Sequence, residues 1–248
     1  MDQPTRSDPQ HSLARPSSAF QTVSVAEMER LDALAINAYG IPRLLLMEHA
    51  GVALARGTAT LGLREGALRG APRPIVICCG TGYNGGDGMA AARHLQAWGY
   101  APQVALVGRR DQLRSEPSIY AKILCRLGIP LLELEDDHAM RQFDGWIEAC
   151  GLVVDALLGI GVRGAVRQPY RDLIDRLNRS GRLIVAADLP SGLDGDTGLP
   201  QGVAVKAALT VTFGAAKRGC VMGDGPSYTG ELVVDPITIP PKVLGGAG

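Results

Sequence analysis

From residue 74 onward, short apolar, β-branched runs alternate with segments whose apolar positions recur every three or four residues. The runs "PIVICC" (74–79), "PQVALVG" (102–108), "PLLEL" (130–134), "LVVDALLG" (152–159), "LIVAADLP" (183–190), "LTVTFG" (209–214) and "ELVVDPITI" (231–239) predict seven strands. Between them, "GDGMAAARHLQAWG" (86–99), residues 115–127, residues 139–146 and the stripe of Tyr170, Leu173, Ile174 and Leu177 predict helices. Strands that stay apolar on both faces and alternate with helices belong to a parallel sheet covered on both sides. Right-handed crossovers then give a Rossmann-like, doubly wound α/β fold, a three-layer α/β/α arrangement. Upstream, Ser24 and Glu27 have the spacing of a capping box, and Met28, Leu31 and Ala35 share one helical face. Gly40 and Pro42 end that helix, and a second, largely apolar one starts at Arg43. Two extra N-terminal helices are therefore expected to flank the sheet. The proline-bearing polar stretch 1–20 reads as a mobile tail, residues 21–241 as one domain, and residues 242–248 as a flexible C-terminal tail.

Charge and composition narrow the function classes. Twenty-five basic residues balance twenty-five acidic ones, so no global field favours nucleic acid or an anionic membrane. No apolar run has the length of a membrane span or a signal peptide, and the five cysteines lack metal-ligand spacing. Adjacent Cys78 and Cys79 would point to opposite faces of one strand as packing residues. A cytoplasmic enzyme with reduced thiols is the expectation.

The candidate chemistry lies at strand ends. "GTGYNGGDG" (80–88) joins the first strand of the alternating region to its helix, and Gly80, Gly82 and Gly85 satisfy G-x-G-x-x-G. Such glycines let main-chain N–H groups approach a phosphate closely. The dehydrogenase fingerprint is otherwise incomplete: where an acid should hold a ribose, the second strand ends in Arg109 and Arg110. Asp87 reads either as a helix cap or as a ligand contact. Asp155 and Asp188 end the fourth and fifth strands of the series. With the usual strand order, Asn84, Asp87, Asp155, Asp188 and Ser191 converge on one crevice beyond the carboxyl edge of the sheet. Its donors are oxygens without thiolates or imidazoles, which suits a hard cation rather than zinc or copper, and so few charges tolerate a monovalent ion.

The motifs "GYNGGDGMAAARHL", "VVDALLGIGVRG", "AADLPSGLDGDTG" and "LTVTFGAAKRG", with the opening "VSVAEMERLDALAINAYGIPRLLLMEHAG", together resemble the YjeF N-terminal family, the NAD(P)H-hydrate epimerases. The resemblance runs from about Val23 to Ile239. It implies interconversion of the R and S forms of hydrated NADH and NADPH, a nicotinamide-cofactor repair reaction, with a bound potassium ion. Asn84, Asp155 and Ser191 match the potassium ligands. Tyr83, Asn84, Gly85, Gly86, Asp87 and Asp188 match substrate contacts, as does the loop Gly159, Ile160, Gly161, Val162, Arg163 and Gly164. Asp188 is the expected catalytic acid–base group. Lys217 falls in a shared stretch without an assigned role, and a solvated surface position is its other reading. The chain departs from the family pattern at Tyr83, where a first asparagine is usual, at Ile160, where a threonine is usual, and at Ala208, where an acid is common. A catalytically inactive nucleotide-binding module of the same fold is the alternative function, and an ordinary NAD(P)-dependent oxidoreductase ranks behind it. A separate NAD(P)H-hydrate dehydratase is the implied pathway partner, and the apolar N-terminal helices are compatible with a homodimer. Neither His49 nor His94 has an assigned role.

Overall fold

A computed structural model describes residues 22–69, 73–161 and 163–245. The segment 1–20 and Val162 therefore lie outside the described residues. The chain order is β1 (Thr22–Val23), α1 (Val25–Asn37), α2 (Arg43–Arg64), β2 (Ile75–Cys79), α3 (Tyr83–Ala97), β3 (Pro102–Leu106), α4 (Ser115–Arg126), β4 (Leu131–Glu133), α5 (Asp137–Ala149), β5 (Leu152–Ala156) and α6 (Tyr170–Arg179). It continues through β6 (Leu183–Ala187), β7 (Leu209–Phe213), β8 (Ala216–Lys217), α7 (Gly225–Thr229) and β9 (Glu231–Asp235). Seven strands form one parallel sheet in the order β4-β3-β2-β5-β6-β7-β9. The order reverses between β2 and β5, so the crevice for a ligand opens at their carboxyl ends, as an open α/β sheet requires.

The period-two alternation decides which layer each strand residue joins. Ile75, Ile77 and Cys79 pack with α1–α4 on one face, whereas Val76 and Cys78 pack with Phe143, Leu173 and Ile174 of α5 and α6 on the other. Close helix approach also fixes the first layer. A Cβ on Gly51 of α2 would stand 2.4 Å from the Ala90 Cβ of α3, so these helices meet where neither can bear bulk. Overpacking of this kind costs roughly 1–3 kcal/mol. Among the described residues, no helix is long and apolar enough to cross a membrane.

Several boundaries differ from the sequence reading. Helix α3 begins at Tyr83, three residues before the expected start at residue 86, so the glycine motif forms its first turn. Gly85 permits this: a Cβ there would fall 1.9 Å from the Gly80 carbonyl oxygen. Strand β9 stops at Asp235 because Pro236 offers no N–H to the ladder, and Ile237 and Thr238 then take positive φ. A second, two-stranded parallel sheet pairs β1 with β8, matching Val23 to Lys217. The described part of the expected C-terminal tail is a turn that buries Val243 in the core, because its apolar side chain has the first layer to pack against.

Candidate functional site

The N-terminus of α1 is tied down twice. The Glu27 N–H donates to Ser24 Oγ at 3.2 Å while the Ser24 N–H donates to Glu27 Oε2 at 2.6 Å, completing the expected capping box. The Val25 N–H donates to Asp196 Oδ1 at 2.7 Å, placing a carboxylate at the positive end of the helix. This anchorage holds α1 across the carboxyl edge of the sheet. There Met28, Asp32 and Ile36, on one helical face, line a cavity of about 730 Å³. The glycine loop, the first turn of α3, the segment after β5 and the end of β6 supply the rest of the wall.

Asp188 follows β6 with φ of +65°, a left-handed conformation that costs a side-chain-bearing residue on the order of 1–2 kcal/mol. The local hydrogen bonds offset that strain. Its Oδ1 accepts from the Phe213 N–H at 3.0 Å, from Thr212 Oγ1 at 3.2 Å and from the Lys217 ammonium. Lys217 is only 1% exposed and also donates to the Phe213 carbonyl at 2.8 Å and to Thr212 Oγ1 at 3.2 Å. The surface reading of Lys217 is thereby corrected: pairing of β8 with β1 draws this lysine inward, and a buried ammonium is stable here because it meets a carboxylate and two further acceptors.

Two more carboxyl groups line the same cavity. Asn84 and Asp87, three residues apart on α3, project from one face of its first turn. Burial, reinforced by the neighbouring Asp188 and Asp32 carboxylates, holds Asp87 well above the ordinary carboxylate range. Asp87 is not the cap of α3, whose N-cap is Gly82 with no side-chain bond. Burial likewise raises Asp32 to about 6, against the opposing pull of Lys217. Sequence reasoning did not single out Asp32. The available signal was an acid four residues from Met28 on the apolar stripe of α1.

Beneath the cavity lies the oxygen-rich cluster. Asp155, on β5, is 0% exposed. Its carboxylate accepts from the Ser191 N–H at 2.8 Å, Ser191 Oγ at 2.6 Å and the Leu157 N–H at 3.2 Å, all neutral donors. Burial without a cationic partner raises it to about 6. The Leu158 main chain joins the three candidate ligands: its carbonyl accepts from the Asn84 amide at 2.9 Å, and its N–H donates to Ser191 Oγ at 2.9 Å. This buried, singly negative set of oxygen ligands, whose hydrogen bonds among the described residues come only from neutral N–H and O–H groups, fits a monovalent cation in charge and donor chemistry.

The remaining candidates divide clearly. Tyr83, Asn84, Asp87, Gly159, Ile160, Gly161 and Asp188 line the cavity. Gly85 and Gly86 are buried beside it: a Cβ on Gly85 would collide with the Gly80 carbonyl, and one on Gly86 would press on the flexible end of Met47. Arg163 and Gly164 are exposed and lie outside the lining. His94 contacts Glu48 at 2.8 Å, and neither it nor His49 lines the cavity.

Comparison with known proteins agrees with this geometry. Residues 43–219 match the family described as YjeF-related protein N-terminus. The chain is 43% identical over 207 residues to a bifunctional NAD(P)H-hydrate repair enzyme of Pyrobaculum aerophilum, covering 82% of this chain and 39% of that protein. It is 36% identical over 216 residues to an NAD(P)H-hydrate epimerase of Limosilactobacillus fermentum, covering 86% of this chain and 95% of that protein. A crystal structure of the yeast protein YNL200c superposes with a TM-score of 0.71 and 25% identity, over 80% of this chain and 82% of that one. The chain spans about two fifths of the length of the bifunctional relatives it matches. The match extends across the glycine turn, Asp155, Asp188 and Lys217, and on it the chain belongs to the YjeF N-terminal family.

Proposed function

We propose that this chain is an NAD(P)H-hydrate epimerase, interconverting the R and S forms of hydrated NADH and NADPH. The observation that carries the reading is the single cavity in which the Lys217-held Asp188 faces Asp87 and Asp32. Loss of hydroxide from the hydrated carbon leaves a ring cation, and re-addition of water on the other face completes the inversion. Asp87, kept neutral by its surroundings, is suited to protonate the departing hydroxyl so that it leaves as water. The Asp188 carboxylate is suited to offset the ring cation and to take a proton from the water that re-adds. Separated carboxyl environments of this kind assign acid and base. Each positioned group contributes on the order of 100- to 10,000-fold. A proton then returns from Asp188 to Asp87 through cavity water before the next turnover. Lys217 positions Asp188 and keeps its strained backbone in place.

In this reading Asn84, Asp155, Ser191 and the Leu158 carbonyl hold a potassium ion, which supplies fixed positive charge beside the glycine turn when bound. A dehydratase consuming the S form is the pathway partner, and the cytoplasm is the proposed location. A chain supplied with mixed R and S hydrated NADH and potassium should accelerate their exchange above the spontaneous rate, followed by chromatography. Asp188→Asn should bind the hydrate and lose that acceleration; an undiminished rate would remove Asp188 from the mechanism. Binding without acceleration in the wild-type chain would favour the inactive module, for which Tyr83 and Ile160 are the relevant departures.

A further inference from the structure

Two arginines on the cavity wall make no salt bridge among the described residues, although the charge of Arg43 reaches Asp32 and Asp87 across the cavity. Arg43 opens α2 and Arg114 immediately precedes α4; both line the cavity. Their guanidinium carbons sit over the Tyr83 ring, 4.4 and 4.5 Å from its centroid. Among the described residues, neither guanidinium makes an ion pair or a hydrogen bond. The arginines at the end of β3 differ sharply: Arg109 pairs with Asp111 and Glu135, and Arg110 pairs with Glu133. An aromatic face attracts a guanidinium through its charge and leaves the N–H donors unused. Tyr83 therefore gathers two cations at one place while keeping their donors available.

A second observation points the same way. Helices α2, α3 and α4 all start at this wall, at Arg43, Tyr83 and Ser115, and none of the three has a side-chain cap. Uncapped N–H groups at a helix start add positive potential. Two guanidiniums gathered on one aromatic ring with their donors unused concentrate positive charge on this wall and attract an anion to it. The cavity thus has an acidic cluster of Asp32, Asp87 and Asp188 and a basic cluster built on Tyr83. A ligand that becomes cationic at its reacting ring and carries phosphate elsewhere matches both.

We propose that Arg43, Tyr83 and Arg114 form a clamp for a phosphate group of the substrate, so that Tyr83 is a specificity element in place of the usual asparagine. The proposal rests on the epimerase reading for the identity of the substrate. The phosphate is either the diphosphate common to both hydrates or the 2′-phosphate of the NADPH form. Calorimetric titration with ADP-ribose and with 2′-phospho-ADP-ribose separates these sources and requires no turnover. Arg43→Gln and Arg114→Gln should each weaken binding about tenfold, the scale of one charge-assisted contact. Tyr83→Leu should weaken it while leaving both charges in place, and Arg141→Gln, on the exposed side of α5, should match the wild type. Equal losses for both probes assign the clamp to the diphosphate; a loss confined to the 2′-phosphorylated probe assigns it to the 2′-phosphate. Affinities within twofold of wild type for both probes in Arg43→Gln and Arg114→Gln overturn the clamp, even in an active epimerase. Weakened binding in a chain without epimerase activity keeps the clamp and removes the epimerase reading. Because Arg43 is half-buried, Arg43→Lys serves as its folded control, retaining charge and losing the planar fork.

Discussion

Asparagine in place of Asp155 isolates the electrostatics of the proposed ion position. The Asp155 carboxyl is fully buried against neutral donors, and its pKa rises from 3.8 to about 6. Below the lower value the folded and unfolded states are both protonated, and burial carries no ionic penalty. Between pH 4 and 6 the unfolded chain ionises first, so the folded state binds more protons and stability falls as pH rises. Above about pH 6 both states are ionised and the full cost, about 3 kcal/mol, is present. Asparagine has no such titration. Its amide N–H₂ must face a donor that Asp155 now accepts from, a fixed penalty of about 1–3 kcal/mol at every pH. Urea unfolding of both chains in a choline buffer, free of potassium, should therefore show the wild type losing about 2.4 kcal/mol relative to Asp155→Asn between pH 4 and 7.5. Replacing choline by potassium at constant ionic strength should restore stability to the wild type at pH 7.5, by about 2.7 kcal/mol at a hundred times Kd. The variant should not respond. A difference between the two chains that stays flat with pH refutes the burial argument, and equal potassium responses refute the ion position.

Other perturbations test the rest of the site. Lys217→Met leaves the Asp188 carboxylate without its ammonium and should destabilise the fold by about 3–5 kcal/mol in urea, with part recovered in the Lys217→Met/Asp188→Asn double variant. A loss below about 1 kcal/mol would show that the pair contributes as little as an exposed one. Gly85→Ala drives a Cβ to 1.9 Å from the Gly80 carbonyl and should lower Tm by several degrees, whereas Gly82→Ala meets nothing within 4 Å and should leave it nearly unchanged. Asp32 ionises near pH 6 in the cavity proposed to hold the ring cation, so kcat should rise through that pH; Asp32→Asn should remove the rise, and an unchanged profile would place Asp32 outside the reaction.

The alternation of apolar runs and helical stripes was sufficient for the fold class, because a strand buried on both faces is apolar at most of its positions. The same logic placed Asp155 and Asp188 at strand ends on neighbouring strands, since a parallel sheet delivers its carboxyl edge to one side. Ser24 and Glu27 fixed the start of α1 locally, within three residues. Contacts between distant segments were not legible in this way. Lys217 is buried because β1, almost two hundred residues earlier, pairs with β8, and nothing near Lys217 in the chain records that partner. Asp32 joined the site only because α1, anchored to Asp196, lines the cavity together with residues far along the chain. The shared stacking of Arg43 and Arg114 on Tyr83 likewise joins three helix starts that the sequence sets far apart. Local patterns determine which elements form and which face they bury, because periodicity and capping act over a few residues. Charge pairing, burial of ionisable groups and the shape of the cavity depend on distances across the fold, which only the packed tertiary structure sets.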